Sequence, residues 1–168
     1  KSTIARLLMR FYNIQQGSIS LDGQNISSVT QASLRSAVAL VPDEPFLFST
    51  SVHENIAYGR PGSTRESVEA AARAAQAHDF IVGLENGYDT IIGERGYDLS
   101  GGQRQRISLA RLFLQDPTVV ILDDSTSSID VEIEERIHGS LNTLLRERTT
   151  IVIAHRLSTI TLAERVVL

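Results

Sequence analysis

The chain has 168 residues, of which 42% are hydrophobic and 21% charged, a length and composition that suit one well-buried globular domain. Its formal net charge of −4 argues against a nucleic-acid-binding surface, which is usually basic, so we expect no nucleic-acid partner. The chain has no cysteine, which excludes disulfides and thiolate metal sites, and no apolar run approaches the length of a membrane span.

The first third of the chain combines one helical pattern with two strand patterns. Residues 1–12 have the apolar spacing of a single helix face and predict a helix. Residues 18–21 alternate like a short strand, and residues 37–41 form a short apolar run that Pro42 ends. The second run predicts a buried strand that opens into a loop.

The middle and the end of the chain continue this alternation. Residues 64–84 predict a helix, and a long amphipathic helix begins near Ser100. The strongest buried-strand patterns are residues 118–122 and 150–154. Further elements are a helix that Asp130 caps and that runs to about residue 145, and a strand over residues 166–168. Short apolar strands that alternate with helices indicate an α/β fold with a mostly parallel sheet.

The first chemical motif is Lys1-Ser2-Thr3 at the start of a helix. It matches the end of the phosphate-binding loop G-x-x-x-x-G-K-[ST], in which Lys reaches the β/γ-phosphates and the hydroxyl binds Mg²⁺. The glycines of that loop are not in this sequence, so an ordinary polar helix start is the alternative interpretation.

The second motif is Asp123-Asp124, which follows the apolar run at residues 118–122. An Asp at the carboxyl end of a buried parallel strand lies where α/β sheets bind ligands. In phosphate-loop enzymes this Asp holds Mg²⁺, directly or through water. The alternative interpretation is an acidic helix cap after a strand.

The third motif is LSGGQRQR at residues 99–106, which is the signature sequence of ATP-binding-cassette (ABC) proteins. The chain resembles the nucleotide-binding domain of that family, of the exporter type, along its whole length. Ser100 and the glycine amides form an anion-binding helix start without side-chain bulk. The resemblance implies that this start contacts ATP held by a second domain in a head-to-tail dimer, through Ser100, Gly101, Gly102 and Gln103.

The resemblance also implies roles for residues of the ATP site, position by position. Lys1, Ser2 and Thr3 match the end of the Walker A loop and would bind ATP, with Ser2 as a Mg²⁺ ligand. Asp123 matches the Walker B aspartate, a further Mg²⁺ ligand. His155 matches the switch histidine, which contacts the γ-phosphate and takes part in catalysis.

Two further segments resemble regions of the family that contact other domains. Residues 127–130 (Ser-Ser-Ile-Asp), which include Ser128 and Asp130, are similar to the D-loop, which crosses the dimer interface. Glu94 and Arg95 lie in a sequence similar to the X-loop of exporters, which touches the coupling helices of the transmembrane domain. This second likeness favours an exporter over an importer.

Two positions depart from the family pattern. Asp124 stands where the family has the Glu that polarises the attacking water. Its side chain is one methylene shorter, and misplacing a catalytic group by roughly 1 Å can cost about a hundredfold in rate. Asp43 stands at the Q-loop position, where the family usually has Gln. It can still ligate Mg²⁺, but it adds negative charge near a triphosphate; the alternative is that it only caps the loop.

The implied fold is a P-loop NTPase core with a mostly parallel sheet plus an ABC-type helical subdomain. Residues 1–61 and 116–168 would form the ATPase core, and residues 62–115 the helical subdomain with the signature helix. We expect the domain to be truncated at both ends, so that the phosphate-loop glycines and the adenine-contacting residues lie outside this sequence.

The implied function is Mg²⁺-dependent ATP hydrolysis that powers export, at the cytoplasmic face of a membrane, which we expect to be the bacterial inner membrane. A transmembrane domain would be fused upstream. A weakened ATP site beside an intact signature favours the degenerate-site half of a heterodimeric exporter, with a non-identical partner. The alternatives are a homodimeric exporter half, a non-transport ABC ATPase and an ATP-binding regulatory module.

Overall fold

A computed structural model describes residues 2–96, 98–154 and 156–167. Within these ranges the helices are α1 (Ser2–Leu8), α2 (Gln31–Ala37), α3 (Val52–Ala57), α4 (Arg65–Ala74), α5 (His78–Val82), α6 (Gly101–Gln115), α7 (Val131–Leu145) and α8 (Leu157–Ile160). The strands are β1 (Ser20–Leu21), β2 (Gln24–Asn25), β3 (Val38–Val41), β4 (Val119–Asp123) and β5 (Thr149–Ile153). Two 3₁₀ turns span Gly87–Asp89 and Glu94–Gly96.

The central sheet is parallel, with the strand order β3-β4-β5. Val41 pairs with Leu122, and Asp123 pairs with Ile153, so the three strands end at the same edge. The middle strand β4 is a continuous apolar run because both of its faces are covered. This arrangement confirms the predicted α/β fold, and β1 and β2 form a separate antiparallel hairpin.

Successive residues of β4 point to opposite faces of the sheet and join two hydrophobic clusters. Val120 and Leu122 pack in the cluster that contains α3, α4, α6 and α7. Ile121 packs in the smaller cluster with residues of α1 and α2. All three side chains are fully buried, so the sheet has a layer of helices on each face.

The helices α3, α4, α5 and α6 lie between β3 and β4 in the sequence. Helix α6 packs against α3, α4 and β3, so it joins the helical region to the sheet. The predicted division of the chain at residues 62 and 115 stays a prediction. None of the helices in the described part of the chain has the length and apolar character that a membrane crossing requires.

Helix lengths differ from the prediction in two places. The helix predicted over residues 1–12 ends at Leu8, and Arg10 then adopts a left-handed backbone with φ 50°. Its guanidinium donates hydrogen bonds to the carbonyls of Ile26 and Val29, which holds this turn against the loop after β2. The helix predicted over residues 64–84 is divided into α4 and α5, because Gln76 has φ 54°.

Three further differences concern caps and strands. The prediction missed α2 and α3, although both have side-chain caps that a sequence can reveal. Asp130 is the N-cap residue of α7, as predicted, but its side chain makes no capping hydrogen bond. The strand predicted over residues 166–168 is absent at residues 166–167, and residue 168 lies outside the described part.

Candidate functional site

The carboxyl edge of the central sheet carries three predicted site residues. Asp123 is the last residue of β4, Asp124 follows it, and Asp43 lies two residues after β3. Asp123 and Asp124 are both partly exposed, so this edge presents carboxylates to solvent. The predicted site residues Lys1 and His155 lie outside the described residues.

The first helix, α1, carries two more of the residues predicted to bind ATP. Ser2 is the first residue of α1, and the exposed Thr3 follows it. Helix α1 packs beside β4, the strand that ends in Asp123. Hydroxyl and carboxylate oxygens are the ligand types that Mg²⁺ prefers.

The described residues do not form a group of three or more His, Asp or Glu side chains able to hold a metal ion by themselves. Mg²⁺ in nucleotide enzymes is usually bound by one or two carboxylates together with substrate phosphates. The joint role of Ser2, Asp123 and Asp43 as ligands of such an ion stays a prediction.

The backbone of Asp124 is held in an unusual conformation. Its φ is 48°, a left-handed value that few residues other than Gly adopt. Its amide donates a hydrogen bond to the carbonyl of Ile153 at 2.8 Å, which ties it to the end of β5. The backbone conformation and this hydrogen bond together hold the Cα of Asp124 beside the end of β5.

The start of α6 is a complete capping box. The amide of Gln103 donates to the Ser100 hydroxyl at 3.2 Å, and the Ser100 amide donates to the Gln103 side-chain oxygen at 2.9 Å. The first amides of a helix have no acceptor inside the helix, so those of Gly101 and Gly102 are left to bind an external anion. The dipole of this 15-residue helix favours negative charge there.

The signature glycines also pack against the D-loop of the same chain. A Cβ on Gly102 would lie 2.7 Å from the carbonyl oxygen of Ser128, and a Cβ on Gly101 would lie 3.2 Å from the Ser128 Cβ. Both Ser128 and Asp130 are exposed, and their predicted place at a dimer interface stays a prediction. The sequence interpretation missed this role, because the contact joins two segments that are distant in the chain.

We therefore expect Gly102→Ala to lower the free energy of unfolding by about 1–3 kcal/mol, because the new methyl overpacks the Ser128 backbone. Gly139→Ala is the matched control, since Gly139 is an exposed residue of α7 with nothing within 4 Å of its Cβ position. It should raise the free energy of unfolding by about 0.5–1 kcal/mol. Chemical denaturation measures both, and equal effects would contradict the packing role.

Asp43 is joined to the D-loop directly. The Ser127 hydroxyl donates a hydrogen bond to Asp43 Oδ1 at 2.8 Å. Gln105 of α6 donates hydrogen bonds to both residues. Its side-chain nitrogen lies 3.1 Å from the Asp43 carbonyl oxygen and 2.9 Å from the Ser127 hydroxyl. The Q-loop, the D-loop and the signature helix thus meet at one point, and the sequence interpretation did not single out Gln105.

A second surface lies beside the predicted coupling residues. Glu94 and Arg95 are exposed in the second 3₁₀ turn, and Gly96 of that turn packs against Leu47. Next to Leu47 an aromatic surface is formed by Phe46, Phe48 and Tyr58, with exposed fractions of 53%, 36% and 64%. The Phe46 and Phe48 rings meet edge to face with their centroids 5.2 Å apart, and the Phe48 and Tyr58 rings are tilted against each other with their centroids 4.7 Å apart. Exposed apolar clusters of this kind commonly mark protein contacts.

Arg111 of α6 is partly buried and contacts the residues of the aromatic surface. Its guanidinium donates to the carbonyls of Asn55 at 2.6 Å and Phe46 at 2.7 Å, and to the Asn55 side-chain oxygen at 2.7 Å. It also lies under the rings of Phe48 and Tyr58. Burial lowers the pKa of Arg111 to about 10, so it stays charged at neutral pH.

We expect Arg111→Lys to lower the free energy of unfolding by about 2–4 kcal/mol, because a lysine cannot replace three guanidinium hydrogen bonds in this fixed geometry. Arg73→Lys is the control, since Arg73 pairs with Glu69 on the exposed face of α4. It should change stability by less than about 0.5 kcal/mol. If thermal denaturation gives similar losses for both variants, Arg111 does not hold this surface together.

Comparisons with known proteins identify the family. The profile of the ABC transporter family matches residues 1–127. A putative multidrug export ATP-binding/permease protein of Staphylococcus aureus strain NCTC 8325 is 51% identical over 167 residues, which are 99% of this chain and 29% of the relative. A protein of the same description from the bovine strain RF122 is 50% identical over the same share.

Among solved structures, a bacterial Atm1-family ABC exporter with ATP bound aligns with a TM-score of 0.90 and 49% sequence identity. The match covers 95% of this chain and 28% of that one. The chain therefore spans less than a third of the length of the relatives that it matches.

Proposed function

The chain belongs to the ABC transporter family, and we propose that it binds and hydrolyses Mg²⁺-ATP to power export across a membrane. The observation that carries this proposal is the start of α6. This helix start is capped, leaves the amides of two glycines without an acceptor inside the helix, and packs on the D-loop. The sheet edge of the same domain carries Asp123 and Asp124. In this proposal one chain supplies both the catalytic edge and the anion-binding surface for a partner.

In this proposal the residues of the sheet edge act on ATP as follows. Ser2, Asp123 and Asp43 are the oxygen ligands for Mg²⁺, which when bound neutralises charge on the phosphates. Asp124 accepts the proton of the attacking water. The roles proposed for Lys1 and His155 rest on the family pattern: both bind phosphate, and His155 contacts the γ-phosphate.

Ser100, Gly101, Gly102 and Gln103 form the part of the site that acts on the nucleotide of a second domain. A head-to-tail dimer places this helix start against the γ-phosphate held by the partner, and Ser128 and Asp130 cross the interface. The exposed positions of Ser128 and Asp130 support that arrangement.

The proposed transmembrane partner is fused upstream in the same polypeptide. The printed name of the Staphylococcus relatives includes both an ATP-binding part and a permease part, and this chain corresponds to 29% of their length. Glu94, Arg95 and the aromatic surface would contact the transmembrane domain at the cytoplasmic face of the membrane. The mixture of exposed charge and exposed aromatic rings suits a contact between protein domains.

We further propose that Asp124 makes the chain's own site slow and that a non-identical partner supplies a faster site with Glu at this position. A homodimer is the second candidate, because the chain carries both Asp123 and an intact Ser100 helix start, which together complete a site in trans. The Asp124 variants described below separate the two assemblies.

Phosphate release by the purified transporter in lipid vesicles tests the ATPase proposal. We expect release that requires Mg²⁺, because the proposed Mg²⁺ ligands act only on a metal–nucleotide complex. Asp123→Asn should reduce it at every site that this chain supplies. Release that continues in the presence of EDTA, or that is insensitive to Asp123→Asn in a dimer of this chain with itself, would contradict the proposal.

A further inference from the structure

The side chain of Gln105 is buried, and its hydrogen bonds go to two loops that carry predicted site residues. It is 1% exposed and lies in the second turn of α6. Its Nε2 donates to the Asp43 carbonyl oxygen at 3.1 Å and to the Ser127 hydroxyl at 2.9 Å. Its Oε1 accepts from the Ser128 amide at 2.9 Å. Both donors and the acceptor of the amide are therefore engaged by the Q-loop and the D-loop.

The direction of these hydrogen bonds is determined by the partners. The Ser127 hydroxyl accepts from Gln105 and donates onward to Asp43 Oδ1 at 2.8 Å, which closes a ring. If the amide were reversed, its oxygen would face the Asp43 carbonyl and its NH₂ group would face the Ser128 N–H. Only one orientation satisfies all the groups, so Gln105 holds the two loops in a fixed relative position.

The D-loop has a second anchor that does not depend on Gln105. The Thr126 hydroxyl donates to the buried carboxylate of Glu134 at 2.6 Å, and Arg156 donates to the carbonyl of Ser127 at 2.7 Å. Removal of the Gln105 hydrogen bonds should therefore leave the D-loop folded while releasing it from α6. This makes a positioning role separable from a role in folding.

We propose that Gln105 is a positioning residue that connects the two ATP sites of the dimer. This inference rests on the proposed function, in which Ser100 faces the partner's nucleotide and Asp43 faces the chain's own nucleotide. Gln105 is five residues after Ser100 on the same rigid helix, about 7.5 Å along its axis. If contact between Ser100 and the partner's nucleotide moves α6, Gln105 moves with the helix. Its hydrogen bonds then move Asp43 and Ser127 as well.

Gln105→Glu tests the inference, because it keeps the shape of the side chain and removes both donors. In the full transporter we expect kcat for ATP hydrolysis to fall about tenfold, as for other residues that orient ligand-binding groups, with KM unchanged. Gln115→Glu is the matched control. Gln115 lies on the same helix and donates from Nε2 to the Arg35 carbonyl at 2.8 Å, away from the site. Its kcat and KM should equal those of the wild type.

Ser127→Ala provides an independent variant, since Ser127 is partly exposed and its loss leaves Asp43 Oδ1 without its donor. It should also lower kcat, and the double variant Gln105→Glu/Ser127→Ala should be no slower than the slower single variant, because both changes break the same ring. If Gln105 had only a structural role, Gln105→Glu would lower the thermal midpoint and the activity together. Its fold loss of kcat would then multiply with that of Ser127→Ala in the double variant.

Four results would overturn the inference while leaving the proposed function intact: an unchanged kcat in a folded Gln105→Glu variant, an unchanged kcat in Ser127→Ala, an equal loss in Gln115→Glu, or multiplying effects in the double variant. If Gln105→Glu fails to fold, the Ser127→Ala result alone decides. A wild-type transporter without Mg²⁺-dependent hydrolysis would instead refute the proposed function and the inference with it.

Discussion

Replacing Ser100 by glutamate is expected to lower ATP hydrolysis by the assembled transporter at least about a hundredfold, a loss like that of an essential oxyanion donor. The new carboxylate would lie at the start of α6, where the proposed dimer places the partner's γ-phosphate. The carboxylate and the γ-phosphate would repel each other because both are negatively charged and in contact. The hydroxyl that accepts a hydrogen bond from the Gln103 amide is lost as well. Phosphate release at saturating Mg²⁺-ATP measures the effect.

Thr64→Glu is the control for the loss of a helix cap and for the added charge. Thr64 is an exposed N-cap of α4, and its hydroxyl accepts from the Ser67 amide as that of Ser100 accepts from Gln103. Both variants should lose about 1 kcal/mol of stability, but Thr64→Glu should keep its ATPase activity. If the two variants lose activity equally, the helix start is a structural cap and not a phosphate site.

Lengthening Asp124 to glutamate is expected to raise hydrolysis about tenfold to a hundredfold in a dimer of this chain with itself, because a misplaced catalytic group is restored. The backbone cannot supply the missing reach. Its φ of 48° and the 2.8 Å hydrogen bond to Ile153 fix the Cα, so only the side chain can extend by about 1.5 Å. Asp22→Glu is the control, since Asp22 is an exposed turn residue with a similar φ of 47°.

The same position separates the two proposed assemblies. In a homodimer Asp124→Asn should abolish turnover, because both sites lose their base. With a non-identical partner that supplies Glu, Asp124→Asn should leave most of the turnover, and the partner's Glu→Gln change should remove it. A homodimer in which Asp124→Asn hydrolyses ATP at the wild-type rate would show that Asp124 is not the proton acceptor.

The sheet was predictable because its strands are short apolar runs that few other structures can accommodate. The ends of helices were less predictable. Arg10 and Gln76 break helical patterns by adopting a left-handed backbone, which depends on tertiary contacts and not on local propensity. The helix α3 is a different case, because the Ser51-x-x-Glu54 capping box was readable in the sequence and was missed.

In the candidate site, too, some features could be predicted from the sequence and others could not. Motifs predicted the residues at the sheet edge and at the start of α6, because phosphate chemistry requires those residue types at those spacings. No motif predicted that Gln105 would contact Asp43, 62 positions earlier, or that Arg111 would hold the aromatic surface. Local sequence patterns do not report contacts between distant segments, so these roles required the folded chain.

The trans arrangement is tested most directly by placing Ser100→Glu in only one of two distinguishable protomers. Azido-ATP with Mg²⁺ is bound to the assembled transporter, free nucleotide is removed rapidly, and the retained nucleotide is photolysed onto the protein. We predict that the label is lost from the partner protomer and retained by the protomer that carries Ser100→Glu. Loss of the label from the substituted protomer itself, with the partner still labelled, would contradict the account.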